Sequence, residues 1–189
     1  MPRSTSGNAE AALQFNVAQL LKQPTGARRE YEILIESPHI EDAPGLVTPL
    51  CGRVQFVRVG DGILVTGSIT TTVRSACSRC LGELDRDVAI DIEEEYQPVL
   101  NILTGSPVPI GEDQDSANLI DEHHVLDLTE VVRQDLWTSL PPSLLCREDC
   151  QGLCPQCGQN LNEGICSCST EEIDARWVVL LQDSSGATE

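Results

Sequence analysis

The stretch V54-Q-F-V-R-V-G-D-G-I-L-V-T-G-S-I-T-T-T-V73 decides the fold. It is rich in Val, Ile, Phe and Thr, residues that fit a pleated, half-buried surface. Gly60-Asp61-Gly62 interrupts it, and two β-rich runs around a D-G turn predict a hairpin. A second turn is expected at Cys77-Ser78-Arg79-Cys80-Leu81-Gly82. Beyond it Leu84, Arg86, Val88, Ile90 and Ile92 alternate with acids at Asp85, Asp87, Asp91 and Glu93, the pattern of a strand with one face in water. Residues 54–96 therefore read as an antiparallel meander.

Upstream, Leu13–Leu21 alternates weakly (Leu13, Phe15, Val17) and predicts a strand leading into a turn at Lys22–Ala27. Tyr31–Glu36 predicts a better one, with Tyr31, Ile33 and Ile35 on one face, and Pro38, Pro44, Gly45 and Pro49 then mark a loop. Downstream, 97–126 reads as a long acidic loop punctuated by Pro98, Gly105, Pro107, Pro109 and Gly111. A helix is expected over 127–140. Asp127-x-x-Glu130 fits a capping box, Leu128, Val131, Val132, Leu136 and Leu140 fall at helical spacing, and Pro141-Pro142 stops it. Trp137 beside the stripe reads as packing. Ser169-x-x-Glu172 predicts the cap of a last short helix carrying Ile173, Trp177, Val178, Leu180 and Leu181.

The expected fold class is α+β: an antiparallel β-meander, one amphipathic helix packed on it, and a C-terminal cysteine-rich zinc module with a short helix. The expected organisation is a loose N-terminus (1–12), a β-rich domain (13–145), the cysteine module and short helix (146–182), and a loose tail (183–189).

Six of the nine cysteines lie within 146–168: Cys146, Cys150, Cys154, Cys157, Cys166 and Cys168. A packed core does not ask for thiols at such intervals, whereas a tetrahedral metal needs several converging on one point. Cys154-Pro155-Gln156-Cys157-Gly158 is the most specific motif: a C-x-x-C-G turn aims both sulfurs at one ion, and Gly158 supplies the backbone angle that closes it. The candidate ligand set is Cys146, Cys150, Cys154 and Cys157, with Cys166 and Cys168, or Cys77 and Cys80, as alternatives; spacing does not choose among them. Cys77-x-x-Cys80 itself admits three readings: completion of the metal site, a redox pair, or a structural pair with a second ion. A redox pair normally opens a helix in a βαβ unit, and this one lies in a meander. Cys51 reads as a small buried hydrophobe. Four thiolates form a closed structural zinc site with no position open to water or substrate.

Net charge is −18 with a pI near 4.3. Glu83 to Glu130 holds fourteen acids against Arg86 alone. Such a chain repels phosphate backbones and suits a basic protein partner. The N-terminus lacks the apolar run of a signal peptide, and no stretch approaches the ~20 apolar residues of a membrane span, so a cytoplasmic protein with no membrane contact is expected. Thiols in that compartment stay reduced. His123-His124 point apart on an extended chain and do not read as a joint metal site. No phosphate loop, dinucleotide fingerprint, G-x-S-x-G or H-E-x-x-H occurs, and no enzyme is expected.

The order of these features resembles a bacterial family: C-x-R-C-L (Cys77, Arg79, Cys80, Leu81), an acidic segment, an Asp-Leu-started helix ending in Leu-Pro, then C-x3-C-x-G-L-C-P-x-C-G-x-N-L from Cys146 to Leu161. The chain is similar to the DUF177, or YceD-like, family over roughly residues 13–182. Members commonly finish Asp-Pro-Arg-Trp; here the run is Asp174-Ala175-Arg176-Trp177. The resemblance implies a role in accumulation or processing of large-subunit ribosomal RNA, and gene proximity to a ribosomal protein of that subunit. The expected partner is a basic ribosomal protein or an assembly factor, with ribosomal RNA contacted indirectly. The alternative is a thiol-redox or metal-handling protein using Cys77 and Cys80.

Overall fold

A computed structural model describes residues 13–36, 38–111 and 115–168. Its strands are β1 (Gln14–Asn16), β2 (Arg28–Ile35), β3 (Gly45–Leu46), β4 (Leu50–Val59), β5 (Gly62–Ala76), β6 (Glu83–Pro98), β7 (Leu119–Ile120) and β8 (Val125–Asp127). Its helices are α1 (Ala18–Leu21) and α2 (Thr129–Thr138), with a 3-10 turn at Ser116–Asn118. The fold is α+β and dominated by sheet.

The main sheet runs β2-β4-β5-β6-β7, and β3 pairs with β5. β4 and β5 join at the expected Gly60–Gly62 turn, with Val59 opposite Gly62, and β5 and β6 pair from Ile63↔Tyr96 to Ala76↔Glu83. β2 pairs antiparallel with β4. The period of two puts one face inward: Ile33 and Ile35, Val54 and Phe56, Val65 and Ile69, Val88, Ile90 and Ile92 are all buried. Two inward positions carry no side chain. A Cβ on Gly52 would stand 2.3 Å from the Ser68 carbonyl oxygen, and one on Gly67 would stand 2.3 Å from that of Arg53. Both glycines let the β4 and β5 backbones approach closely.

The inward face is closed by the N-terminal segment, by β8 and by α2, through Leu13, Val17, Leu20, Leu126, Leu128, Val132 and Leu136. The aromatic rings of Phe15, Tyr31 and Phe56 meet here, with centroids 4.8 to 5.1 Å apart. Tyr96 is buried and donates its hydroxyl to the Asp127 carbonyl (3.3 Å).

Several expectations change in detail. Leu13–Leu21 is a three-residue strand, with burial alternating from Leu13 to Val17, followed by one helical turn that buries Leu20 and Leu21. β3 lies within the loop expected from Pro38, Pro44, Gly45 and Pro49. The segment 97–126 is not a structureless loop. β6 extends to Pro98, β7 pairs parallel to it, and β8 pairs with β1. Asn101 Oδ1 accepts from the amides of Leu103 and Thr104, and Asp121 Oδ1 accepts from those of His123 and Val125; these short polar side chains order the connections.

α2 is shorter than 127–140. Asp127 Oδ1 does accept from the Thr129 amide (2.8 Å), but Glu130 turns away from the expected box to bind Arg133 and Gln134, and those partners hold its carboxyl down to about 2. Trp137 is 50 % exposed and donates Nε1 to the Asp42 carbonyl (2.8 Å) rather than packing in the core. Cys51 is half-buried on the outer face, not a core residue. The expected C-terminal helix and both chain ends lie outside the described residues.

Candidate metal centre

The two C-x-x-C turns share one backbone design. In the first, the Cys77 amide donates to the Gly82 carbonyl (2.9 Å) and the Leu81 amide to the Cys77 carbonyl (2.9 Å). In the second, the Cys154 amide donates to the Gln159 carbonyl (2.8 Å) and the Gly158 amide to the Cys154 carbonyl (2.9 Å). The residue after the second cysteine has positive φ in both: +59° at Leu81 and +75° at Gly158. Each turn aims amides at its first sulfur. The Cys77 thiol is lowered to about 6, chiefly by the Cys80 N–H and then those of Arg79 and Cys146. The Cys154 thiol is likewise lowered to about 6, by the Cys157 and Gln156 N–H groups and then the Cys166 thiol.

Each turn has a different pair of partners. Cys77 and Cys80 meet Cys146 and Cys150, while Cys154 and Cys157 meet Cys166 and Cys168; within each group all four sulfurs lie within 4.8 Å of one another. The expected set Cys146, Cys150, Cys154 and Cys157 does not converge on one point. It is divided between two centres, and all four alternative cysteines take part. The reason is topological: the β5–β6 turn delivers Cys77 and Cys80 to the start of the cysteine-rich segment, which long-range spacing in sequence does not reveal. These are the groups of this kind among the described residues; His123 and His124 belong to neither.

The sulfur spacing fits a metal. Cys77 and Cys150 are 3.8 Å apart, Cys80 and Cys146 3.7 Å. A tetrahedron of sulfurs ~2.3 Å from a zinc ion has edges of about 3.8 Å. Cys146, through the Cys150 sulfur, and Cys168, through the Cys157 sulfur, are pushed up to about 12. Clustered sulfurs therefore retain protons that a divalent cation would displace. Four soft sulfur donors select zinc or a similar thiophilic ion and leave it no open position.

Three residues that are not thiols, Arg79, Gly152 and Asn162, tie these segments together. Arg79 donates Nη1 to the Cys150 carbonyl (2.9 Å), and its own carbonyl accepts from the Leu153 amide (3.1 Å). Gly152, at φ +75°, brings its backbone close beneath Arg79: a Cβ there would lie 3.0 Å from the Arg79 carbonyl oxygen. Asn162 belongs to the loop between Cys157 and Cys166, yet donates Nδ2 to the Cys150 sulfur (3.4 Å). Its Oδ1 accepts from the Gln151 amide (2.8 Å) and from Arg147 (2.8 Å). Sequence reading missed Asn162; the only signal is that Asn160-Leu161-Asn162 places polar residues between two ligand pairs. Asn162→Ala is expected to weaken metal binding at the Cys77 centre by about 10–100-fold, measured by chelator competition. Unchanged affinity there would confine Asn162 to its own loop.

Leu81 occupies the position that Gly158 fills in the other turn, and a leucine at positive φ costs ~1–2 kcal/mol. Its side chain is 66 % exposed. Leu81→Gly is expected to stabilise the metal-loaded protein by about 0.5–1 kcal/mol, after the entropy of glycine in the unfolded chain is counted. The denaturation midpoint reads it, and a fall would show that the side chain packs against something of greater worth.

Comparison with known proteins places this architecture. Residues 65–182, more than half of the chain, match the family described as large ribosomal RNA subunit accumulation protein YceD. The chain belongs to the YceD family. The matched span runs from β5 through every cysteine of both groups. Uncharacterized proteins of Mycobacterium bovis and Mycobacterium tuberculosis are 30% identical over 176 residues, covering 90% of this chain and 80% of theirs. An uncharacterized protein of Mycobacterium leprae is 27% identical over 103 residues, 54% of this chain and 45% of its own. No solved structure matches the chain. Among the described residues no helix of this YceD-family protein is long and apolar enough to cross a membrane.

Proposed function

We propose that this protein is a non-enzymatic factor in large-subunit ribosomal RNA accumulation or processing, working in the bacterial cytoplasm where ribosomes assemble. Membership of the YceD family carries this reading. The cysteines then serve the structure. Each centre holds one zinc ion, and the closed four-sulfur geometry offers substrate no position on the metal. Cys77 and Cys80 would both be ligands, which leaves no free dithiol for redox exchange. The partner is a basic ribosomal protein or assembly factor, and ribosomal RNA is reached through it. Residues 146–168 support that order of contact, since Arg147 is their one basic residue against Glu148, Asp149 and Glu163.

The test is deletion of the gene in its host, with the ratio of mature large- to small-subunit ribosomal RNA measured by sedimentation and electrophoresis. The ratio is expected to fall and to return with the wild-type gene but not with Cys154→Ser. An unchanged ratio in the deletion strain would overturn the reading. Capture of naked ribosomal RNA by the purified protein at physiological salt would overturn the indirect contact.

A further inference from the structure

The outer face of the main sheet is uncovered among the described residues. Register defines its rows: Thr66 lies between Gln55 and Glu93, Ser68 between Arg53 and Asp91, Thr70 between Cys51 and Ala89. Along β5 the floor is made of short hydroxyl side chains, so another backbone can come close. Three shallow depressions of 430, 400 and 420 Å³ follow this floor. The first two share Arg53 and Ser68, the second and third share Cys51 and Thr70, and they form one groove.

The charges on this face are unbalanced. Of its arginines, Arg53 and Arg74 are already paired, with Glu32 (2.9 Å) and Asp85 (2.9 Å), and Arg28 stands on the far edge strand β2, with β4 and β5 between it and the β6 carboxylates. Asp91, Glu93 and Glu95 stand exposed at successive outward positions of β6, with no hydrogen bond or ion pair among the described residues. Successive outward carboxylates on a strand are ~6.6–6.8 Å apart, the spacing of alternate side chains on an extended peptide.

The occupant must bring positive charge, and this chain does not supply it. Residues 1–12 contain Arg3 against Glu10. Residues 169–189 contain Arg176 against five acids, and Lys22 is the sole lysine. A second copy carries the same −18, and nucleic acid brings phosphates. The geometry points to this face as the docking site for an extended segment of a partner protein with lysine or arginine at alternate positions, lying along β5 with its cations on the β6 carboxylates. This deepens the proposed function by giving the basic partner a place to bind, and it rests on that reading.

The probe is a fluorescent peptide of alternating lysine and threonine, about nine residues long to span the floor at roughly 3.3 Å per residue. Anisotropy is read at near-physiological salt on the full-length, metal-loaded protein. Asp91→Asn/Glu93→Gln/Glu95→Gln is expected to weaken binding by about tenfold or more, while neutralising Glu41, Glu122 and Glu148 to glutamine changes it less than about twofold. Glu93→Lys alone should reproduce most of the loss, which guards against a folding defect in the triple variant. Equal losses in both triple variants, no loss in either, or tighter binding of a labelled RNA oligonucleotide than of the peptide would each overturn the assignment. Binding is read on purified protein, so its failure leaves the ribosomal reading standing. An unchanged ribosomal RNA ratio in the deletion strain leaves the peptide site standing.

Discussion

Replacing Cys77 with serine is expected to release one of two metal ions and to free residues 146–168 from the sheet. Few apolar side chains hold this segment: Leu144 is buried just before it, and within it the buried residues of hydrophobic type are the candidate ligands Cys150 and Cys154. Its other ties to the β5–β6 turn are a handful of backbone and Arg79 hydrogen bonds, each worth only ~0.5–1.5 kcal/mol net. Metal binding to such a module supplies on the order of 10 kcal/mol. The sheet has its own core and should survive the loss. Native mass spectrometry should find two zinc ions in the reduced wild type and one in Cys77→Ser, and limited proteolysis should then cut within 146–168. Cys154→Ser should also lose one ion, but from the other centre. Retention of two ions by Cys77→Ser would exclude that residue as a ligand. Wild type binding no metal and forming disulfides readily in air would bring the redox reading forward.

Phe56→Ala is expected to cost about 3–5 kcal/mol, since it empties the centre of the aromatic cluster. The chain has six aromatic residues, and three of them, Phe15, Tyr31 and Phe56, converge at this point. Phe56 is fully buried and touches both other rings, whereas Phe15 is only half-buried. With so few large side chains, Val, Ile and Leu must repack around a cavity they cannot fill. For a chain of this length the loss should lower the melting midpoint by about 6–20 °C. A shift below about 2 °C would mean that the sheet collapses onto the vacated space.

The correct expectations were those carried by short-range pattern. The hairpin at Gly60–Gly62 and the alternation over 84–92 depend on neighbours one or two residues away, and both strands appear where the pattern puts them. In the N-terminal segment the alternation of Leu13, Phe15 and Val17 appears as β1, and the helical turn at Ala18–Leu21, which buries Leu20 and Leu21, did not show in that alternation. The acidic 97–126 stretch hid its β7 and β8 because strands of two or three residues carry no period, and their pairing partners lie far away in sequence.

The thiol chemistry follows the same division. The sequence alone pointed to clustered thiols such as a metal would need, to the C-x-x-C-G turn, and to the YceD family, because those features are local or are read in order along the chain. Which sulfurs come together is a matter of tertiary structure. Cys77 and Cys150 are separated by seventy-two residues and meet at 3.8 Å because the β5–β6 turn and the segment after α2 end at the same place. A tetrahedral site constrains distances between sulfurs and not the length of chain between them, so sequence spacing cannot assign ligands across a fold.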